Sequence, residues 1–363
     1  MRIILISLVA WLTLAMNVSS GQKRSADSSP TRPRNIILMI GDGMGLTQIY
    51  AGMTANHGWL NLEKCRHIGL SKTNSARQYI TDSAAGATAL ATGQKTYNGA
   101  VGVDTLGRAV PTILEIAERN GLSTGLVATT YITDATPASF IAHQPQREMG
   151  EEIAADFLKT DIDLFIGAGV EHFRNRKDGR NLVAELRKNN YQVLFNIDSI
   201  SKIQRGKIAG FVSDDRWETR GDQLLKATKT AINVLNQNKK GFFLMVEGSQ
   251  IDDGGHANNT NRVIEEMLDF DKVIGEVLSF AEKDGNTLVI ITADHETGGL
   301  TIVDGSLKTG RVEGRYSTKG HTSVMVPVFA FGPGAENFIG IYHNNTIFFK
   351  MMEAYGFAEK GQK

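Results

Sequence analysis

Short runs of continuous apolar residues alternate along the chain with stretches where apolar residues recur every three or four positions. The runs lie at 36–40 (Ile-Ile-Leu-Met-Ile), 125–128, 164–166, 242–246, 288–292 and 326–331. A run without polar alternation fits a strand buried on both faces. The stretches at 113–120, 151–159, 182–188, 223–237 and 262–283 have helical spacing, and Gly121 closes the first of them as a C-terminal cap. In the longest, Val263, Met267, Phe270, Ile274 and Leu278 fall on one stripe. Strands alternating with helices predict an α/β fold, a mostly parallel sheet covered on both sides. Residues 303–320 are polar and Gly-rich and are expected to form a small inserted surface loop. There is no internal repeat and no low-complexity tract.

The first residues follow a different pattern. Met1-Arg2 is followed by an apolar run over 3–16 and then by Asn17-Val18-Ser19-Ser20. A membrane span needs about 20 apolar residues, so residues 1–20 are expected to be a secretory signal peptide rather than an uncleaved anchor. No cysteine follows the run, which argues against lipid attachment. Residues 21–34, rich in Lys, Arg, Ser and Pro, read as a flexible leader, and 35–363 as the folded domain. An exported protein, periplasmic or extracellular, is the expectation.

Composition narrows the classes. Lys+Arg and Asp+Glu both number 39, so the basic excess usual in a nucleic-acid binder is missing. The single cysteine, Cys65, rules out an intrachain disulfide and a cysteine-only zinc site.

The polar residues cluster where the apolar runs end. Ile40-Gly-Asp42, Val246-Glu247 and Thr292-Ala-Asp294-His295 each place acid at a strand's carboxyl end, where open α/β sheets bind ligands. Any one such Asp could be a cap or turn residue; three at one edge would concentrate charge that only cations relieve. Asp252 and His256 are four apart, on one face of a helix if one begins there, a plausible zinc pair. His321 follows Gly320 just ahead of the last long run. His57, His67, His143, His172 and His343 are set aside as structural or exposed. Ser83, in Asp82-Ser83-Ala84, is either a nucleophile at a helix start or a plain N-cap. There is no Gly-x-Ser-x-Gly elbow and no Walker loop.

Taken in order, Gly41-Asp42-Gly43-Met44-Gly45, Asp82-Ser83-Ala84, Asp134-Ala-Thr136-Pro137, Val246-Glu247-Gly248, Ile251-Asp252 with His256, Thr292-Ala-Asp294-His295-Glu296 and Gly320-His321-Thr322 resemble the alkaline phosphatases, in particular a small bacterial member. The resemblance spans about residues 35–355. It implies a three-layer α/β/α sandwich around a large, mostly parallel sheet, with 35–363 as the catalytic domain. It implies hydrolysis of phosphate monoesters through a phosphoserine on Ser83, with two zinc ions and one magnesium. By the same resemblance Asp252, His256 and His321 would hold one zinc, and Asp42, Asp294 and His295 the other. Asp42, Thr136 and Glu247 would hold magnesium, with Asp134 reaching it through water, and Arg147 would grip the phosphate. Dimers are usual in the family, so a homodimer is expected, with neither nucleic acid nor a stable membrane anchor as partner. Two other readings stand beside this one: a related metallo-phosphodiesterase or nucleotide pyrophosphatase, and a secreted phosphate-binding protein without turnover. One position departs from the pattern. Asp253 stands where the best-known bacterial type has a lysine; it either turns to solvent or a turn, or makes the third metal site more dependent on divalent cation.

Overall fold

A computed structural model describes residues 32–213 and 221–357. The expected signal peptide, and the leader up to residue 31, lie outside the described residues. In chain order the strands are β1 (Asn35–Gly41), β2 (His67–Lys72), β3 (Ser123–Tyr131), β4 (Leu164–Ala168), β5 (Gln192–Leu194), β6 (Ile208–Phe211), β7 (Phe242–Gly248), β8 (Thr287–Thr292), β9 (Glu296–Thr297), β10 (Leu300–Ser306), β11 (Arg311–Tyr316), β12 (His321–Thr322), β13 (Val326–Phe331) and β14 (Gly340–His343). Among the described residues ten of them form one sheet in the order β14-β2-β13-β8-β1-β7-β3-β4-β6-β5. All of its pairings are parallel except those of β13, which runs against both neighbours.

The continuous apolar runs are strands with a core on each face, as their lack of alternation predicts. In β1, Ile36, Leu38 and Ile40 pack into one core with Leu90, Ile113 and Phe157. Ile37 and Met39 point the other way, into a core with Met267, Phe270 and Ile274 from the helix Thr260–Asp284. Each fully buried side chain of this size contributes roughly 1.5–3 kcal/mol of transfer free energy. That helix starts at Asn259, whose side chain accepts from the Arg262 amide, and ends at Gly285 in the left-handed conformation.

Four strands of this sheet were not foreseen. β5 and β14 lie at the sheet edges, and β2 and β14 are largely half-buried or exposed, so neither shows an apolar run. β6 is buried but only 4 residues long. Residues 303–320, expected to be a loop, include most of an antiparallel ribbon of β10 and β11. Its strands are mostly solvated, so polar residues such as Asp304, Arg311 and Glu313 hide the strand pattern.

The strand order positions the site. β8, β1, β7 and β3 are consecutive neighbours. Ile40 pairs with both Glu247 and Thr292, and Ala128 pairs with Glu247. The four chains therefore leave the sheet side by side, delivering Asp294-His295, Asp42, Glu247 and Asp134 to one edge.

Candidate metal centre and active site

The deepest group is built on the segments after β1 and β8. Asp294 and His295 are fully buried, and Asp42 and Ser83 nearly so. His295 Nε2 lies 3.2 Å from Ser83 Oγ, 3.2 Å from Asp294 Oδ2 and 3.5 Å from Asp42 Oδ1. Thr297 donates its only hydroxyl proton to Asp252 Oδ1. Its oxygen is then left to accept from His295 Nδ1, at 3.2 Å. The proton of a neutral His295 ring therefore sits on Nδ1, and Nε2 offers a bare lone pair. That lone pair faces two carboxylates, a repulsive arrangement without a cation. Asp42 Oδ1 and Asp294 Oδ2 are buried and have no hydrogen-bond partner. Burial and then neighbouring carboxylates raise both groups, Asp294 to about 7. Burial holds His295 well below the ordinary histidine range, and the charge of His321 adds to the effect.

Gly43 makes room for this packing. It adopts φ +69°, and a Cβ there would lie 2.9 Å from Asp252 Cα and 2.8 Å from Thr297 Oγ1.

The helix Gln250–His256 supplies the second group. Its i, i+4 spacing brings His256 Nε2 to 3.1 Å from Asp252 Oδ2. The ribbon of β9 and β12 carries His321 over the same place, 3.7 Å from Asp252 Oδ1. The Nδ1 atoms of His256 and His321 face the carbonyls of Lys319 and Thr81, at 2.5 and 2.9 Å. With both Nδ1 protons so placed, the two Nε2 atoms confront one another at 3.2 Å. A proton or a metal ion between them removes that repulsion. Asp252 is held well below the usual carboxylate range: burial opposes this, but the His256 hydrogen bond and the neighbouring histidine rings outweigh it. The Asp252 hydrogen bond is the main cause that raises His256 to about 9.

Ligand atoms of Asp252, His295 and His321 lie within 4.8 Å of one another, as do those of Asp42, Asp294 and His295. His295 is thus common to both clusters, with His256 beside the first. Glu247 and Thr136 form a third, all-oxygen corner. Both are buried, and Glu247 Oε2 and Thr136 Oγ1 lack hydrogen-bond partners. Burial, then the Asp134 charge, pushes Glu247 up to about 8. Partnerless buried oxygens and facing lone pairs fit metal ions, which would satisfy all of them at once.

Ser83 is not an N-cap. Asp82 takes that role for the helix Ser83–Thr92, accepting from the Ala85 amide at 3.0 Å. Ser83, at the first helical position, keeps its hydroxyl for His295. Asp82 Oδ2 also accepts from the Gly99 amide at 2.9 Å and faces Arg147 Nη1 at 3.7 Å. Arg147 Nη2 donates to Asp134 Oδ1 at 3.0 Å, while Asp134 Oδ2 accepts from Thr130 at 2.9 Å. Sequence reasoning missed Asp82 and Thr297; an acidic residue directly ahead of the candidate serine was the available signal for the first. Asp253 pairs with Arg262 on the next helix, at 3.3 Å. His143 and His172, set aside earlier, have structural partners in Glu115 and Thr133.

The sequence profile of the alkaline phosphatase family matches residues 33–313. The chain belongs to the alkaline phosphatase family. It is 39% identical over 354 residues to alkaline phosphatase 4 of Bacillus subtilis (strain 168), covering 91% of this chain and 76% of that protein. It is 32% identical over 413 residues to the alkaline phosphatase of Escherichia coli (strain K12), covering 91% and 88%. The structure of alkaline phosphatase from the Antarctic bacterium TAB5 superposes with a TM-score of 0.84 at 44% identity, covering 90% of this chain and 98% of that one. The chain is accordingly a metal-dependent hydrolase of phosphate monoesters, as its motifs led one to expect.

Proposed function

We propose that hydrolysis runs through a covalent phosphoserine on Ser83, at a site holding two zinc ions and one magnesium. The observation that supports it best is Ser83 Oγ at 3.2 Å from the bare Nε2 of His295, among carboxylates with partnerless oxygens. The sets Asp252, His256, His321 and Asp42, Asp294, His295 have the mixed nitrogen and oxygen donors that suit zinc. Asp42, Thr136 and Glu247, with Asp134 nearby, offer oxygen only, which suits magnesium. When bound, such ions supply positive charge that lowers the pKa of a hydroxyl and offsets charge on phosphate oxygens.

The remaining work belongs to the chain's own residues. Arg147, braced by Asp134 and Asp82, presents a planar fork to two phosphate oxygens. The amino end of the helix Ser83–Thr92 favours negative charge at the same place. Ser83 Oγ gives up its proton and attacks phosphorus; the bond from phosphorus to the ester oxygen breaks, and the alcohol leaves with a proton. Water then attacks the phosphoserine, its O–P bond to Ser83 breaks, and inorganic phosphate and the serine hydroxyl are regenerated.

The test is metal analysis of the purified protein with a monoester assay before and after chelation, together with acid trapping of labelled phosphoenzyme. Labelled phosphate on Ser83 supports the proposal, and turnover unaffected by complete metal removal refutes it. We further propose export and a homodimer. Among the described residues no helix is long and apolar enough to cross a membrane. N-terminal sequencing of secreted protein and sedimentation equilibrium test these two points.

A further inference from the structure

Glu296 follows His295 directly and belongs to none of the metal or phosphate groups described above, yet it is only 4% exposed. Successive side chains of a strand point to opposite faces. In β9, Thr297 turns to Asp252 and His295, and Glu296 turns the other way. Its Oε1 accepts from Gln48 Nε2 at 2.6 Å and from the Leu300 amide at 3.2 Å. Its Oε2 accepts from the Gly299 amide at 3.2 Å and from the Thr322 hydroxyl. All four partners are donors, so the carboxylate accepts at each of its four lone pairs. Gly45, in the loop that carries Asp42, leaves room for it: a Cβ there would run into Glu296 Cγ and lie 2.8 Å from Gln48 Oε1.

Three of these donors bear on one stretch of chain. The amides of Gly299 and Leu300 fix the turn at Gly298-Gly299, where φ is +92° and +58°. The Gly298 amide donates to the Gly320 carbonyl at 2.9 Å, and its carbonyl accepts from the amides of Ser317 and Thr318 at 3.1 and 3.2 Å. Thr322 pairs with Glu296 in the ribbon of β9 and β12, and His321 pairs with Thr297. Residues 317–322 are thus held by the turn at one end and by the Thr322–Glu296 bond at the other. Two members of that stretch reach the first ligand cluster. His321 faces Asp252, and the Lys319 carbonyl faces His256 Nδ1.

The second cluster is supported differently. Asp42 and Asp294 lie just past the ends of β1 and β8, neighbours in the ten-stranded sheet. Neither carboxylate bonds to residues 317–322. A group behind a metal ligand acts by fixing that ligand's place, and its loss weakens metal binding about 10–100-fold. Loss of Glu296 therefore bears on one cluster and spares the other.

We propose that Glu296 is a positioning residue: by holding the Gly298-Gly299 turn and Thr322 it sets His321 and the Lys319 carbonyl, and so the affinity for the ion at Asp252, His256 and His321. The inference rests on the reading of the site as holding an ion at each cluster. The test uses the full protein as wild type, Glu296→Gln and Thr322→Val. Glu296→Gln keeps the shape but turns an amide nitrogen toward donors. Thr322→Val deletes one bond to Glu296 at almost constant volume, and decides the question if the glutamine variant does not fold. Each protein is loaded with zinc and dialysed against graded chelator, and retained zinc is counted per chain. Cadmium-loaded protein gives an NMR signal for each ion, and His256→Ala, which removes a ligand of the first cluster alone, identifies the signal of that cluster. In Glu296→Gln the first-cluster ion is expected to leave at about tenfold less chelator than in wild type, with a smaller shift in the same direction in Thr322→Val. The ion at Asp42, Asp294 and His295 should leave where it does in wild type. An equal shift of both ions, a shift of the second ion alone, or no shift in either variant overturns the proposal. A wild-type protein that holds zinc at neither cluster would refute the metal reading instead.

Discussion

The imidazole of His172 lies directly over the backbone of Gly150, so that a Cβ there would come within 2.5 Å of Cε1 and 2.7 Å of Nε2. The same ring bonds Thr133 through Nδ1 at 2.6 Å. Thr133 precedes Asp134, and Gly150 follows Arg147 by three residues, so one ring joins the two segments that carry the Arg147–Asp134 pair. Gly150→Ala is expected to displace the ring, at a cost of roughly 1–3 kcal/mol, and to weaken inhibition by phosphate. Thermal unfolding and phosphate inhibition constants check this; an alanine variant matching wild type in both would show that the contact is idle.

Ser83→Ala should keep its metal ions and lose hydrolysis by roughly 10³-fold or more. The variant also keeps its helix start, because the cap belongs to Asp82. Metal content, unfolding temperature and turnover measured on one preparation separate these effects. Wild-type turnover in the variant would remove Ser83 from the mechanism.

Asp82 serves both the helix and Arg147, so its two variants should divide the roles. Asp82→Ala removes the cap, costing about 1 kcal/mol, and also removes one brace of the guanidinium. Asp82→Asn keeps an oxygen for the Ala85 amide but loses both the charge facing Arg147 and the acceptor for the Gly99 amide. The expected pattern is a raised KM in both variants and a stability loss about 1 kcal/mol larger in the alanine variant, which alone gives up the cap. Equal stability loss in the two variants would contradict the division.

His143 and Glu115 give a pH dependence away from the metal groups. His143 Nε2 meets Glu115 Oε1 at 3.1 Å and Nδ1 meets the Gly102 carbonyl at 2.6 Å, so only the doubly protonated ring satisfies both. Burial opposes that charge, but the bonds to Glu115 and Gly102 outweigh it and raise His143. Burial likewise opposes the charge on Glu115, and the bonds from His143 and Thr112 overcome it and lower Glu115. The raised histidine stabilises the fold fully below its unfolded pKa, and this is lost as pH rises through the folded value. The lowered glutamate stabilises above its unfolded pKa and loses this as pH falls. The pair is therefore strongest between the two unfolded values, at about pH 4.5–6.5. His143→Gln should lose about 1 kcal/mol there and converge with wild type at alkaline pH. Denaturant unfolding across pH decides it, and a gap that widens on the alkaline side would refute the assignment.

Much of this could be read along the chain because it depends on local spacing. The runs at 36–40, 242–246 and 288–292 announce strands buried on both faces, since a backbone of period two needs apolar residues at every position when both sides are covered. Their acidic ends mark the sheet edge, and the four-residue step from Asp252 to His256 is a helical turn. β2 and the edge strand β14 were hidden because half-solvated residues need no apolar run.

The tertiary structure alone decided which of these groups meet. Ser83 and His295 touch across 212 positions of sequence, and nothing local to either fixes that distance. It follows from the order β8-β1-β7-β3, which sets four strand ends side by side. The same order makes His295 common to both ligand clusters and braces Arg147 between Asp82 and Asp134. Backbone periodicity is written in neighbouring residues, whereas the partners of a buried charge are chosen by crossover connections that no local pattern records.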